Sequence, residues 1–391
     1  MRRRTLLTTG AAALALPRAA RAATVLRFIP QADLTTLDPI QTTSVVTMQH
    51  ACLVFDTLYG VDANGVTQPQ MAEGHRIEDD GLTWQITLRD GLRFHDGTPV
   101  LARDVAASIR RWGTRDSFGL SLMAATQELS APSDRVVRFR LKRPFPMLAD
   151  ALGKAGVNTA VIMPERLALT PSAVQVTEMV GSGPFRFIAG ERVSGSQAVY
   201  EKFAGYVPRS QGVASLLAGP KIAHVDRVEW HTIPDAATAA SALQSGEMDW
   251  WEAATADLVP ALRRRTDITV RVQAYPGYAA ALRPNHLHPP FDNPGVRRAI
   301  MGGILQSDFM TAAAGDDRAL WRDGIGFFHP AGNMASNAGM AALTGPRDLD
   351  RVRRALADAG YAGERTVLLG GTDRPIISAM SEVAADMLRR V

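Results

Sequence analysis

The stretch DGLTWQITLRDGLRFHDGTPVLARDV, Asp80 to Val105, decides how the rest of the chain is read. It places Asp-Gly pairs at 80–81, 90–91 and 96–97 and sets His95 beside Asp96. Trp84, Ile86 and Leu88 alternate with Gln85, Thr87 and Arg89, the period of a half-buried strand. Asp90-Gly91 is a hairpin signal, and Leu92–Phe94 is expected to begin the return strand. Asp96-Gly97-Thr98-Pro99 reads as a second turn, because glycine supplies a positive φ and proline cannot extend a ladder. Val105, Ile109 and Trp112 then share one face of a helix, with Asp104 in its first turn where a negative charge suits the dipole. Turn geometry thus accounts for the aspartates without chemistry. A catalytic His95-Asp96 pair is disfavoured because neighbouring strand residues point to opposite faces.

The N-terminus is set apart from the fold. Arg2, Arg3 and Arg4 precede the apolar run TLLTTGAAALAL, which is shorter than the about 20 residues a bilayer span needs. Ala20-Arg21-Ala22 follows as a small-x-small cleavage pattern, and RRTLL resembles a twin-arginine export signal. Residues 1–22 are therefore expected to be an export leader, and the remainder periplasmic. That leader holds five of the 43 basic residues and no acid, leaving 38 basic against 39 acidic ones. The basic pI of about 9.4 belongs mostly to the leader, so composition gives no reason to expect a nucleic-acid or anionic-membrane partner. Cys52 is the only cysteine, which excludes an internal disulfide, and it is expected to be a small buried apolar residue.

Further along, Val137, Phe139 and Leu141 mark another amphipathic strand, and Ile222–Ile233 contains an apolar-polar alternation. Ala236–Leu243 is helical in character and breaks at Ser245-Gly246, before the extended MDWWEA of 248–253. ITVRVQAY (268–275) and RTVLLGG (365–371) read as strands. Helices are expected around 258–265, from Pro294 through Ile304, over Leu349–Ala359 with Gly360 as its stop, and from Ile376 to Val391. The last helix has no stop signal and no following strand, so the second half is expected to be an incomplete α/β lobe.

Together these stretches resemble the peptide/nickel-type extracellular solute-binding proteins of ABC importers. GLTWQITLRDGLRFHDGTPVLARDVAASIRRW carries the likeness, with LDP at 37–39, LYG at 58–60, VGSGPFRF at 180–187, SGEMDWWE at 245–252 and HPPFDNPGVRRAI at 288–300, all in order. The resemblance implies an α/β, two-lobed periplasmic binding fold: a first lobe over 24–247 with an extra subdomain at about 58–190, and a partial second lobe over 248–391. It implies a monomer that takes a peptide or similar small polar solute between its lobes and delivers it to a membrane permease. One departure is Leu101, where the family sets a small hydroxyl residue to cap the helix that follows.

The residues that the resemblance assigns to ligand are Thr42, Thr43, Trp250, Trp251, Glu252 and Arg374. Thr42 and Thr43 match a ligand-touching loop, and they serve equally well as a capping cluster before the helix at 45–55. Trp250 and Trp251 stand at the crossing between lobes, one expected in the core and one facing the cleft. Glu252 is placed to meet a cationic group, or to be a solvated hinge residue. Arg374 precedes a proline, as does the arginine that grips a peptide carboxylate in dipeptide-type members, and it serves nearly as well in a surface ion pair. No catalytic residue, metal site or cofactor is expected. His286 and His288 have chelating spacing but sit among Pro284, Pro289 and Pro290 with no acidic or cysteine partner. A secreted α/β hydrolase is the alternative from another class, and it lacks a visible nucleophile–base pair. A non-functional remnant of a receptor is the third reading.

Overall fold

The computed structural model describes residues 23–272, 277, 279–328, 330, 335–372 and 374–391. The expected leader and residues 273–275 lie outside the described residues. Two compact units emerge: residues up to Asp235 with Ser245–Glu252, and Ala236–Gln244 with Ala253–Val391.

The first unit begins with β1 (Val25–Ile29) and α1 (Val45–Val54). A small antiparallel sheet follows, made of β2 (Ala72–Glu78), β3 (Thr83–Leu88), β4 (Thr126–Ser133) and β5 (Val136–Leu141), in the spatial order β2-β3-β5-β4. Helix α2 (Ala102–Trp112) packs on it. The inward residues are those the alternation selects: Trp84, Ile86, Leu88, Val137, Phe139 and Leu141 meet Val105, Ile109 and Trp112 in one buried cluster. All three Asp-Gly pairs are turns, with φ of +90° at Gly81, +75° at Gly91 and +85° at Gly97. Leu92–Phe94 does not return along β3, however. Both edges of β3 are already taken by β2 and β5, so Arg93 instead bridges to Pro99. Leu101 gives α2 no side-chain cap, and Asp104 compensates from within the helix by accepting the Leu101 N–H at 2.8 Å.

The larger sheet adds β6 (Phe185–Phe187), β7 (Gln197–Lys202), β8 (Arg227–His231) and β9 (Trp250–Trp251), ordered β6-β7-β8-β1-β9. β1 lies parallel to both β8 and β9, while β7 is antiparallel to its neighbours. Phe28, Val228, Trp230, Tyr200, Phe185 and Phe187 form its apolar face, closed by Val54 and Phe55 at the end of α1. Gly181 and Gly183 let the 180–187 segment approach α1: a Cβ on Gly181 would lie 1.9 Å from the Val54 carbonyl oxygen.

The second unit is built on helices α3 (Ala236–Ser245), α4 (Pro294–Met301), α5 (Gln306–Ala314), α6 (Leu349–Asp358) and α7 (Pro375–Arg389). Asn293 and Asp348 cap α4 and α6 by accepting the N–H groups of Gly295 and Arg351. Val296, Ala299, Ile300, Val352, Leu356 and Met387 make its core, with Ile304 packed alongside although α4 ends before it. Among the described residues, the expected strands at 268–272 and 365–371 form no ladder; strand propensity yields one only where a neighbour supplies the bonds. Among the described residues, no helix is long and apolar enough to cross a membrane.

Candidate functional site

His95 is held by groups far away in sequence. Its backbone N–H donates to Gly181 O at 2.9 Å, and its ring spans Gly181 N and Gly183 O. Nδ1 accepts the Gly181 N–H at 3.2 Å, so Nε2 carries the proton donated to Gly183 O at 3.0 Å. Burial pulls its pKa down to about 4, which keeps this single neutral tautomer. Asp96 closes its own turn, accepting from the Thr98 N–H and hydroxyl. The two side chains share no bond, so the pair is scaffolding that joins the small sheet to the 180–187 segment.

His50, on α1, is the second buried imidazole. It contacts the Tyr200 hydroxyl at 3.0 Å and the Met179 sulfur at 3.4 Å, and burial lowers its pKa to about 3. Asp56 is enclosed too, with Lys221 Nζ at 2.7 Å and the Tyr206 hydroxyl at 2.8 Å. Cys52 is half-buried rather than enclosed, and desolvation raises its thiol pKa, which disfavours the nucleophilic thiolate. Among the described residues no group of three or more His, Cys, Asp or Glu is placed to hold a metal ion.

The loop carrying Thr42 and Thr43 is fastened on several sides. Asp38 of the LDP block is fully buried and accepts Arg111 of α2 at 3.1 and 2.6 Å, with the Val176 N–H at 2.8 Å. Trp112 donates to the Asn158 carbonyl, and the Asn158 amide, oriented to donate, reaches Pro39 O at 3.0 Å and Thr42 O at 2.8 Å. The Thr42 hydroxyl accepts the Ser44 N–H at 3.1 Å, a bond within the turn before α1 that caps no helical N–H, while Thr43 is exposed.

At the edge of the larger sheet, Trp250 and Trp251 pair with Phe28 and Ile29 of β1. Alternation sends them to opposite faces. Trp250 is 47% exposed and meets the Phe28 ring edge-on at 5.1 Å, whereas Trp251 is half-buried, so neither is a core residue. Glu252 turns its carboxylate inward: it accepts from the Gln31 N–H at 2.8 Å, the Gln31 side chain at 3.0 Å and the Gln49 amide of α1. Ser44 precedes Gln49 by five residues, about 7.5 Å along the helix, so α1 links the Thr42–Thr43 loop to β9. Gln31 and Gln49 were not singled out from sequence. A glutamine in a loop and another on a helix leave no pattern; only the β1–β9 register brings them together. Arg374 belongs to the second unit, exposed at the N-terminus of α7. That unit also holds a partly open cavity of about 530 Å³, lined by apolar Phe291, Val296 and Leu356 and by polar Ser381, Glu382 and Arg389 among others.

Residues 66–391 match the model of the bacterial extracellular solute-binding proteins, family 5 Middle. The chain is 34% identical over 370 residues to a protein of Sinorhizobium fredii named probable peptide ABC transporter periplasmic-binding protein y4tO, covering 92% of this chain and 67% of that one. It is 28% identical to the glutathione-binding protein GsiB of Salmonella typhi, covering 84% of this chain and 60% of the relative. Among solved structures, the periplasmic binding protein AgaA of A. tumefaciens R10, in complex with agropinic acid, superposes with a TM-score of 0.75 at 21% identity. That match covers 94% of this chain and 70% of AgaA. DppA of Helicobacter pylori, bound to the peptide STSA, gives 0.73 at 22% identity, with 94% and 72% covered.

Proposed function

The chain belongs to the family 5 bacterial extracellular solute-binding proteins, and from that premise we propose that it acts as a periplasmic receptor that hands a peptide or similar small polar solute to an ABC-type permease. It spans 60 to 67% of the length of the two sequence relatives named above. Trp250 is the observation that carries it. An indole with nearly half its surface open, at the free edge of a sheet and beside an anchored hinge segment, offers a flat face that a desolvated ligand can cover. Thr43 adds an open hydroxyl on the loop tied to the same region through α1. Thr42 and Trp251 shape the surroundings; Arg374, within the second unit, has the guanidinium fork that suits a carboxylate.

Such a receptor makes and breaks no bond. Ligand favours the closed arrangement by the difference between its affinities for the closed and open forms. Both named sequence relatives are described as peptide- or glutathione-binding, which makes short peptides the first ligands to test. Isothermal calorimetry of the full chain against a dipeptide and tripeptide library, reduced glutathione included, should give saturable heat with at least one member. Heat with none of them, from protein shown to be folded, refutes the peptide reading.

A further inference from the structure

Glu252 is the last residue of the first unit before the chain enters the second at Ala253. Its backbone N–H donates to Ile29 O at 3.0 Å, extending the β1–β9 pairing by one residue. Its carboxylate takes three further bonds, two from Gln31 and one from Gln49. Those donors are all neutral, and they fill most of the roughly four acceptor positions a carboxylate offers. Gln49 keeps its amide nitrogen on Glu252 even though its own Oε1 is buried with no partner among the described residues. An acceptor left unmade so that a charge-assisted bond persists marks the carboxylate as the stronger demand.

We propose that Glu252 is a positioning residue: it clamps the end of β9 to the Gln31 loop and to α1, and so fixes Trp250 and Trp251 where the chain leaves the first unit. Its charge is spent inside that unit instead of meeting a cationic ligand group. The inference stands on this network and holds whether or not the solute is a peptide.

Hydrogen exchange of the ligand-free full chain, read at individual amides, tests it. Glu252→Ala removes the acceptor of the Gln31 N–H and should speed exchange there about tenfold or more, leaving the β3 amides unchanged. Glu252→Gln keeps one acceptor for that N–H and should speed it only about two- to fivefold. Trp250 is the most exposed of the six tryptophans, so acrylamide quenching should increase in the alanine variant and return toward wild type in the glutamine variant. Gln31 exchange within about twofold of wild type in Glu252→Ala, or equal acceleration throughout the first unit, overturns the proposal. If Glu252→Ala does not accumulate as folded protein, Glu252→Gln decides alone: partial loosening at Gln31 supports the clamp, and wild-type exchange with wild-type quenching overturns it.

Discussion

Replacing Arg111 with methionine should remove a large fraction of the first unit's stability, although the side chain touches no surface. Arg111 is 5% exposed and Asp38 is fully buried. The guanidinium gives two bonds to Asp38 and one each to the Thr170 and Val174 carbonyls at 3.0 Å. Without it Asp38 retains only the Val176 and Ile40 N–H groups, at 2.8 and 3.3 Å, and no counter-ion. Breaking one side of a buried pair costs about 3–5 kcal/mol. Each abandoned carbonyl adds about 1 kcal/mol where water does not replace the donor. The expected loss is thus about 5–7 kcal/mol, which approaches the whole stability of many domains. Urea unfolding followed by tryptophan fluorescence reads this mainly in the first unit, because five of the six tryptophans lie there. With a slope of about 2 kcal/mol per molar, the midpoint should fall by about 3 M. Adding Asp38→Asn neutralises the stranded charge and should recover at least half of the loss. A shift for Arg111→Met below about 1 kcal/mol, or a double variant no better than the single, would show that the pair is not the anchor of the Pro39–Ser44 loop.

Three further outcomes follow from the same geometry. His50 and His95 have folded pKa values near 3 and 4 against an ordinary 6.5, so the unfolded chain binds more protons in acid: their stabilisation is complete above pH 6.5 and is lost as pH falls toward 4 and then 3. At pH 5 each contributes about 2 kcal/mol less, seen as a falling urea midpoint, and His95→Gln should flatten the slope. Gly181→Ala drives a methyl into the Val54 carbonyl and should cost about 3 kcal/mol or more by the same unfolding assay, with wild-type stability refuting the close approach. Trp250→Ala should cost only about 1 kcal/mol of stability, through the lost Phe28 contact, yet weaken calorimetric binding of whichever peptide the chain binds by about tenfold; unchanged affinity would place the ligand elsewhere.

What the sequence made legible was whatever burial imposes with a period. Trp84, Ile86 and Leu88, then Val105, Ile109 and Trp112, announce themselves because one face must be apolar, and the three glycines of the Asp-Gly turns because positive φ suits them best. The same logic placed one of Trp250 and Trp251 in the core, and neither is there, because an edge strand covers less of each face than a central one. It failed at Leu92–Phe94 and at 365–371, because a strand is made by its neighbour and the neighbour is not written locally. The anchoring of the candidate site was hidden for a stronger reason. Asp38 finds Arg111, and Glu252 finds Gln31 and Gln49, across separations of 73, 221 and 203 residues, one side chain at a time and with no repeat to detect. His95 shows the consequence most plainly. Turn geometry and alternation already argued against Asp96 as its partner, and that carboxylate is taken up by its own turn, but nothing local showed that the imidazole bonds residues 86 and 88 positions away. A buried polar group must find partners wherever the fold brings them, so a charged neighbour in the chain says little about what a histidine does. Only the path of the backbone can tell a clamp from a catalyst.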